Sequence, residues 1–174
     1  NLGRLRLGYG NTNRLWIERV ELVNFFLIVY NLSIMAETSK LKLTFYGGAE
    51  TVTGANFLLE ENLPNGGGLK ILFDCGLVQG NKVCEKINSE KFPYDPATID
   101  YLIVSHVHLD HVGRIPKLVR DGFKGKILST PPTKEIALVL LIDSMGILGK
   151  EAKASGQEPL YTEDDVKRTM VLWD

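Results

Sequence analysis

The sequence is short of cysteine, of long apolar runs and of any excess of charge, and each shortage removes a class of protein. It has two cysteines, Cys75 and Cys84, outside any C-x-x-C pattern, so neither a disulfide scaffold nor a four-cysteine zinc module can be built. Both are expected to be small packing residues, and a reducing, cytoplasmic compartment suits such a chain. Twenty Lys and Arg stand against twenty-one Asp and Glu, a net charge of −1. No overall basic field marks the chain for nucleic acid, and any such role has to come from a site. Long apolar runs are missing too: Phe25 to Tyr30 and Ile136 to Ile142 fall far short of the roughly twenty residues a membrane helix needs. What is left, 44% apolar and 24% charged residues, is the balance of one ordinary globular domain.

Residues 1–34 read differently from the rest. Arg4, Arg6, Arg14 and Arg19 are scattered among Gly and Asn before the apolar patch Phe25 to Tyr30. Glu18 and Glu21 interrupt the approach, and Ser33-Ile34-Met35-Ala36 is a poor cleavage site, so a secretory signal fits badly. Met35 is the expected start, with 1–34 a non-native upstream or disordered segment and 35–174 the domain.

From residue 41 the pattern is rich in strands. Leu41, Leu43 and Phe45 alternate with Lys42 and Thr44, the period of a strand with one buried face. Ala55 to Glu60 and Leu69 to Phe73, joined through Pro64-Asn65-Gly66-Gly67-Gly68, predict a hairpin. Tyr101 to Val104 is a continuous apolar run, expected as a strand buried on both faces. A helix through Ile115, Leu118 and Val119 should end at Gly122, and Lys126 to Ser129 returns as a strand. Thr133 is placed to cap a buried helix from Lys134 to about Leu148. Thr162 and the acids behind it predict a last helix with Val166, Met170 and Trp173 on one face, running off the end of the chain. Strands first paired and then interleaved with helices predict an α/β layered domain.

All three histidines lie in Ser105-His106-Val107-His108-Leu109-Asp110-His111. Three histidines placed at random would fall at this spacing on the order of once in 5,000 arrangements. The cluster follows a buried strand, where the chain must loop out. His106 and His108 alternate as in an extended segment and can point the same way, while Asp110 and His111 sit in the turn beyond. Imidazole and carboxylate are the ligands that suit zinc in hydrolytic sites, and two pairs of them suggest two metals. Asp74, ending the strand before Cys75-Gly76, is a further candidate: a carboxylate there can hold a water or a ligand imidazole, the alternative being an Asp that only forms the turn. Lys117, Arg120, Lys124 and Lys126 form a modest basic stretch, read as a solvated helix face, with phosphate contact as the alternative.

The H-x-H-x-D-H motif resembles that of the metallo-β-lactamase superfamily. The segment Thr44 to Phe57, with Gly47-Gly48-Ala49 and Val52-Thr53-Gly54-Ala55, then Leu72 to Gly76, Ile99 to Pro116, Thr130 to Thr133 and Asp143-Ser144 resemble its beta-CASP branch of RNA-processing nucleases. Glu50 departs from the glycine many relatives carry. The resemblance covers about residues 41–173 and implies the first half of a four-layered αββα sandwich, here truncated. It implies two zinc ions, one on His106 and His108, the other on Asp110 and His111, with Asp74 and Asp110 in the catalytic set and RNA as the substrate. After His111 there is no further histidine. The remaining ligands and the domain that closes over RNA would come from beyond residue 174, so the chain reads as the N-terminal part of a longer enzyme, inactive by itself. A small-molecule hydrolase of glyoxalase II or thioesterase type is the alternative within the same fold, and a non-catalytic scaffold partner of an active nuclease is the alternative outside catalysis.

Overall fold

The computed structural model describes residues 40–49, 51–63, 67–80 and 82–174, with the backbone alone for 82–85. The expectation for residues 1–34, Met35 as the start, the Glu50 departure and the packing of Cys84 lie outside the described residues. A five-stranded sheet forms in the order β1 (Lys40–Gly47), β2 (Asn56–Asn62), β3 (Lys70–Phe73), β4 (Tyr101–Ile103) and β5 (Lys126–Leu128). The first three strands are antiparallel, as the hairpin pattern predicts, and β3, β4 and β5 run parallel. Helices fill the connections: α1 (Lys82–Ser89), for which the sequence reading names no element, then α2 (Leu109–Val112), α3 (Ile115–Arg120), α4 (Pro131–Ala154) and α5 (Glu163–Leu172). This is the α/β architecture expected. Among the described residues no helix is long and apolar enough to cross a membrane.

Register places Leu58, Leu72, Leu102 and Ile127 in one row across four strands, all almost fully buried. Onto that row pack Val112 and Ile115 at the start of the helical run, Ala137 and Leu141 from α4, and Val166 from α5 with Trp173 behind it. The opposite face carries Leu43, Leu59, Ile71 and Tyr101 in one row and Phe45, Phe57, Phe73 and Ile103 in the next. Its outer strand is open: Leu41 is 44% exposed, Leu43 50% and Phe45 58%. The alternation of β1 is therefore that of a strand, but the apolar face expected to be buried faces solvent. For the same reason β4 is not buried on both faces; Leu102 is closed off, while Tyr101 and Ile103, pointing the other way, are half-covered.

Helix α4 departs from the sequence reading at both ends and in its burial: its N-cap is Thr130 and not Thr133, and it runs past Leu148 to Ala154. It begins at Pro131, three residues before the expected start, because two prolines fit the first turn of a helix, where an amide N–H has no partner anyway. Nor is it buried all round: Ala137, Leu141 and Ser144 face the core, whereas Ile136, Val139 and Ile142 are exposed. Helix α5 starts as predicted, with Thr162 and Asp165 forming a reciprocal capping box. It does not run off the chain. Trp173 turns extended and forms a parallel bridge to Ile127, and its Nε1–H donates to Ser129 Oγ at 2.8 Å. Burial of the indole against the sheet outweighs one more turn of helix.

Candidate metal centre

The ligand-type residues gather just past the ends of two parallel neighbours, β3 and β4, where side chains leaving the sheet converge on one crevice. Asp74 follows β3 directly and has φ +57°, a left-handed backbone that Asp tolerates better than most residues. It is held there by donating its N–H to Ile103 O at 3.0 Å and by accepting from Asn56 Nδ2 on its own carbonyl at 3.2 Å. The twist buries its carboxylate and aims it at the loop after β4. Oδ1 accepts the Ser105 N–H at 2.8 Å, and Oδ2 meets the Ser105 hydroxyl at 2.7 Å and His111 Nδ1 at 2.8 Å.

Cys75 and Leu77 beyond Asp74, with Ala55 alongside, lace the turn bearing Asp110 and His111 to the sheet. Cys75 N–H donates to His111 O at 2.7 Å, Leu77 N–H to Leu109 O at 2.9 Å, and Ala55 N–H to Asp110 O at 2.9 Å. Arg114 returns the contact, its N–H to Cys75 O at 2.9 Å and its Nε–H to Gly76 O at 2.6 Å. A side chain at Gly76 would overlap the Asp110 carbonyl, so only glycine lets the two segments come this close. Asp110 and His111 thus lie on the single turn of α2 and not in an irregular loop, anchored below by the buried Val112.

The alternation expected for His106 and His108 is present: their rings meet edge-on with centroids 4.7 Å apart, and His106 Nε2 is 3.1 Å from His108 Nδ1. His111 Nε2 is 3.6 Å from Asp110 Oδ2, and the His111 ring lies 3.9 Å from that of His106, centroid to centroid. All five sequence candidates are brought together. Two nitrogens each about 2.05 Å from one tetrahedral zinc would be about 3.3 Å apart, close to the first spacing, and the second is only slightly wider. The donor set therefore fits zinc as two pairs. Among the described residues no three such side chains converge as a complete ion site.

Burial shifts the titration of one group in the site and two behind it. Partial burial, then the neighbouring His111 and His108, holds the His106 imidazole below the usual histidine range, which favours the neutral ring a metal requires. Behind the site, burial pushes the Cys75 thiol up to about 11, so Cys75 packs and does not react. Burial also raises Tyr94, whose hydroxyl donates to Asn56 Oδ1 at 3.0 Å and so supports the amide beneath Asp74.

Ser105, Asn56, Tyr94 and Arg114 received no role from the sequence. Only Ser105, a hydroxyl directly before the first histidine, carried a local signal; the other three act through the fold. The basic stretch divides. Lys117 is no solvated residue: it is buried, with Nζ 2.6 Å from Asp121 Oδ2 and 4.2 Å from the centre of the Phe92 ring. Arg120 donates to Leu160 O at 2.8 Å, and Lys126 pairs with Asp174 at 2.9 Å. Packing between elements claims Lys117 alone; Arg120, Lys124 and Lys126 are exposed, as the solvated reading expects.

Residues 54–137, which contain Asp74 and the whole of the histidine cluster, match the metallo-beta-lactamase superfamily. The chain is similar to ribonuclease TTHA0252 of Thermus thermophilus, 33% identical over 130 residues that make up 75% of this chain and 27% of that protein. It is similar to transcription termination factor FttA of Methanosarcina mazei, 33% identical over 135 residues, 76% of this chain and 20% of the relative. It is also similar to cleavage and polyadenylation specificity factor subunit 3-I of Arabidopsis thaliana, 33% identical over 108 residues, 59% of this chain and 14% of the relative. The matched part of the chain thus spans between 14% and 27% of these proteins. With the motif, the lacing of its turn and these relatives together, the chain belongs to the metallo-β-lactamase superfamily, in its beta-CASP branch.

Proposed function

We propose that this chain supplies the first ligand set of a zinc-dependent phosphodiesterase that cuts RNA, with residues 35–174 the N-terminal part of its catalytic domain. The observation that supports this reading most is the paired presentation of donors, His106 Nε2 beside His108 Nδ1 at 3.1 Å and His111 Nε2 beside Asp110 Oδ2 at 3.6 Å. In this reading His106 and His108 hold one ion, and Asp110 and His111 the other. Two bound ions supply Lewis acidity, polarising a phosphoryl oxygen and readying water for in-line attack. The chain does the rest. Asp74 accepts the Nδ1 proton of His111 and so turns the lone pair of Nε2 towards the site. The laced turn of α2 fixes Asp110 beside it, and the exposed His108 leaves the front of the site open to substrate.

RNA is favoured over an acyl or thioester substrate because the similar proteins are named as a ribonuclease, a transcription termination factor and a cleavage and polyadenylation factor. A catalytic zinc takes about three protein ligands, so each pair is one short, and the balance comes from sequence outside the described residues. In the full-length protein, His108→Ala is expected to abolish RNA cleavage with an unchanged circular dichroism spectrum. The 174-residue chain alone is expected to cleave no RNA above a chelated control. Wild-type cleavage by the His108→Ala protein, or thioester hydrolysis in place of RNA cleavage by the unaltered one, overturns the reading.

A further inference from the structure

Ser105 belongs to neither donor pair, yet its side chain touches both. Its hydroxyl oxygen lies 2.7 Å from Asp74 Oδ2, 3.0 Å from His106 Nδ1 and 3.3 Å from His111 Nδ1, while its N–H is fixed on Asp74 Oδ1 at 2.8 Å. Counting protons decides the direction of these contacts. A hydroxyl has one proton to give and two lone pairs, and a carboxylate only accepts. The Ser105 proton therefore goes to Asp74. Its contact with His106 is then a hydrogen bond only if His106 Nδ1 carries the proton and donates it to the hydroxyl oxygen. His111 Nδ1 gives its own proton to Asp74 Oδ2, the nearer acceptor at 2.8 Å. A neutral imidazole with its proton on Nδ1 has its lone pair on Nε2. In His106 that is the nitrogen beside His108 Nδ1.

We propose that Ser105 is a positioning residue whose hydroxyl carries the influence of Asp74 to His106 and fixes that ring as the Nδ1–H tautomer. One buried carboxylate then sets two histidines, His111 by direct contact and His106 through Ser105. The purpose of the arrangement, presenting Nε2 of each ring to a metal, rests on the reading given under Proposed function; the tautomer itself is a property of the metal-free chain. Because Ser105 is exposed, removing its hydroxyl lets water reach His106 Nδ1 and costs the ring its fixed orientation, not the protein its fold. Threonine keeps the hydroxyl and should keep the tautomer.

The test is histidine 15N spectroscopy of the full 174-residue chain at about pH 8, above the ordinary histidine range, in solution or, for a self-associated sample, in the solid state. Wild type and Ser105→Thr are expected to show Nδ1–H at His106 and His111. Ser105→Ala is expected to leave His111 unchanged and to give His106 a mixed or Nε2–H signal. The wild-type spectrum alone can refute the proposal, by showing Nε2–H at His106; an unchanged His106 in Ser105→Ala refutes it equally. Titration with Zn2+ on the same spectra should reach its midpoint at about 10- to 100-fold higher concentration in Ser105→Ala, with Ser105→Thr near wild type. Equal midpoints for all three overturn the positioning role. Histidine signals that no Zn2+ concentration moves would instead overturn the metal reading, with the tautomer result still deciding the relay.

Discussion

The two faces of the sheet carry the same kind of side chain and meet opposite fates. On one, Leu58, Leu72, Leu102 and Ile127 form a closed row beneath α3, α4 and α5; on the other, Leu41, Leu43 and Phe45 stand open at the outer strand. Alternation in a strand says that a face is fit to be covered, and nothing in it says by what. Cover on the first face comes from the connections after β4 and β5, whose helices return across the sheet with Val112, Leu141 and Val166 pointing inwards. The candidate metal centre draws on the closed side: its turn is rooted in Val112, and its carboxylate sits on the end of β3. Close packing is thus concentrated on the face from which the candidate ligands are held.

This contrast can be broken most sharply at Leu102. Leu102→Ala empties the centre of the closed row and should cost about 2–5 kcal/mol in chemical denaturation, whereas Leu43→Ala on the open face should stay within about 0.5 kcal/mol; similar losses at both would show the faces to be equally packed. Next in size is Gly76→Ala, which drives a methyl group into the Asp110 carbonyl and should cost about 1–3 kcal/mol, with amide exchange accelerating first at His111 and Val112. Asp165→Asn loosens the box that starts α5 and should cost about 1 kcal/mol at neutral pH. Burial raises the Asp165 carboxyl, but bonds from Thr162 and Arg168 outweigh it and hold the group below its ordinary value. A carboxyl lowered on folding stabilises the native state above its unfolded pKa of about 3.8 and loses that contribution as pH falls through the folded value. The gap between Asp165→Asn and wild type should therefore narrow as pH falls below about 3.8, and a gap that stays constant across the acid range would rule out the charge as its source. The smallest change in stability is expected for Phe45→Ser, within about 0.5 kcal/mol, and sedimentation should show less self-association, since the substitution breaks an exposed apolar row.

The candidate site was far more legible in the sequence than the packing around it. His106, His108, Asp110 and His111 were readable because ligand chemistry at short spacing is local, and Asp74 because it ends an apolar strand. Asn56 and Tyr94 were not assigned, since their value lies in contacts with residues 18 and 38 positions away; Ser105 touches its neighbour His106, but the Asp74 that gives the contact its direction is 31 positions off. Helix α4 shows the same limit in the fold. Its run from Ile136 to Ile142 reads as buried on every side, but one helix face can meet only what the neighbouring elements bring, and here that is enough for Ala137 and Leu141 alone.

By itself the sequence determined the strands, the hairpin, the capped start of α5 and the identity of the candidate donors, because each depends on the period of a local backbone or on the chemistry of one side chain. The tertiary structure alone decided which face of the sheet is closed, that Trp173 leaves its helix to bridge β5, that Lys117 is buried over Phe92, and that Asp74 in a left-handed turn faces His111 and Ser105. These are outcomes of competition among distant segments for the same surface, and burial free energy is assigned only when those segments meet.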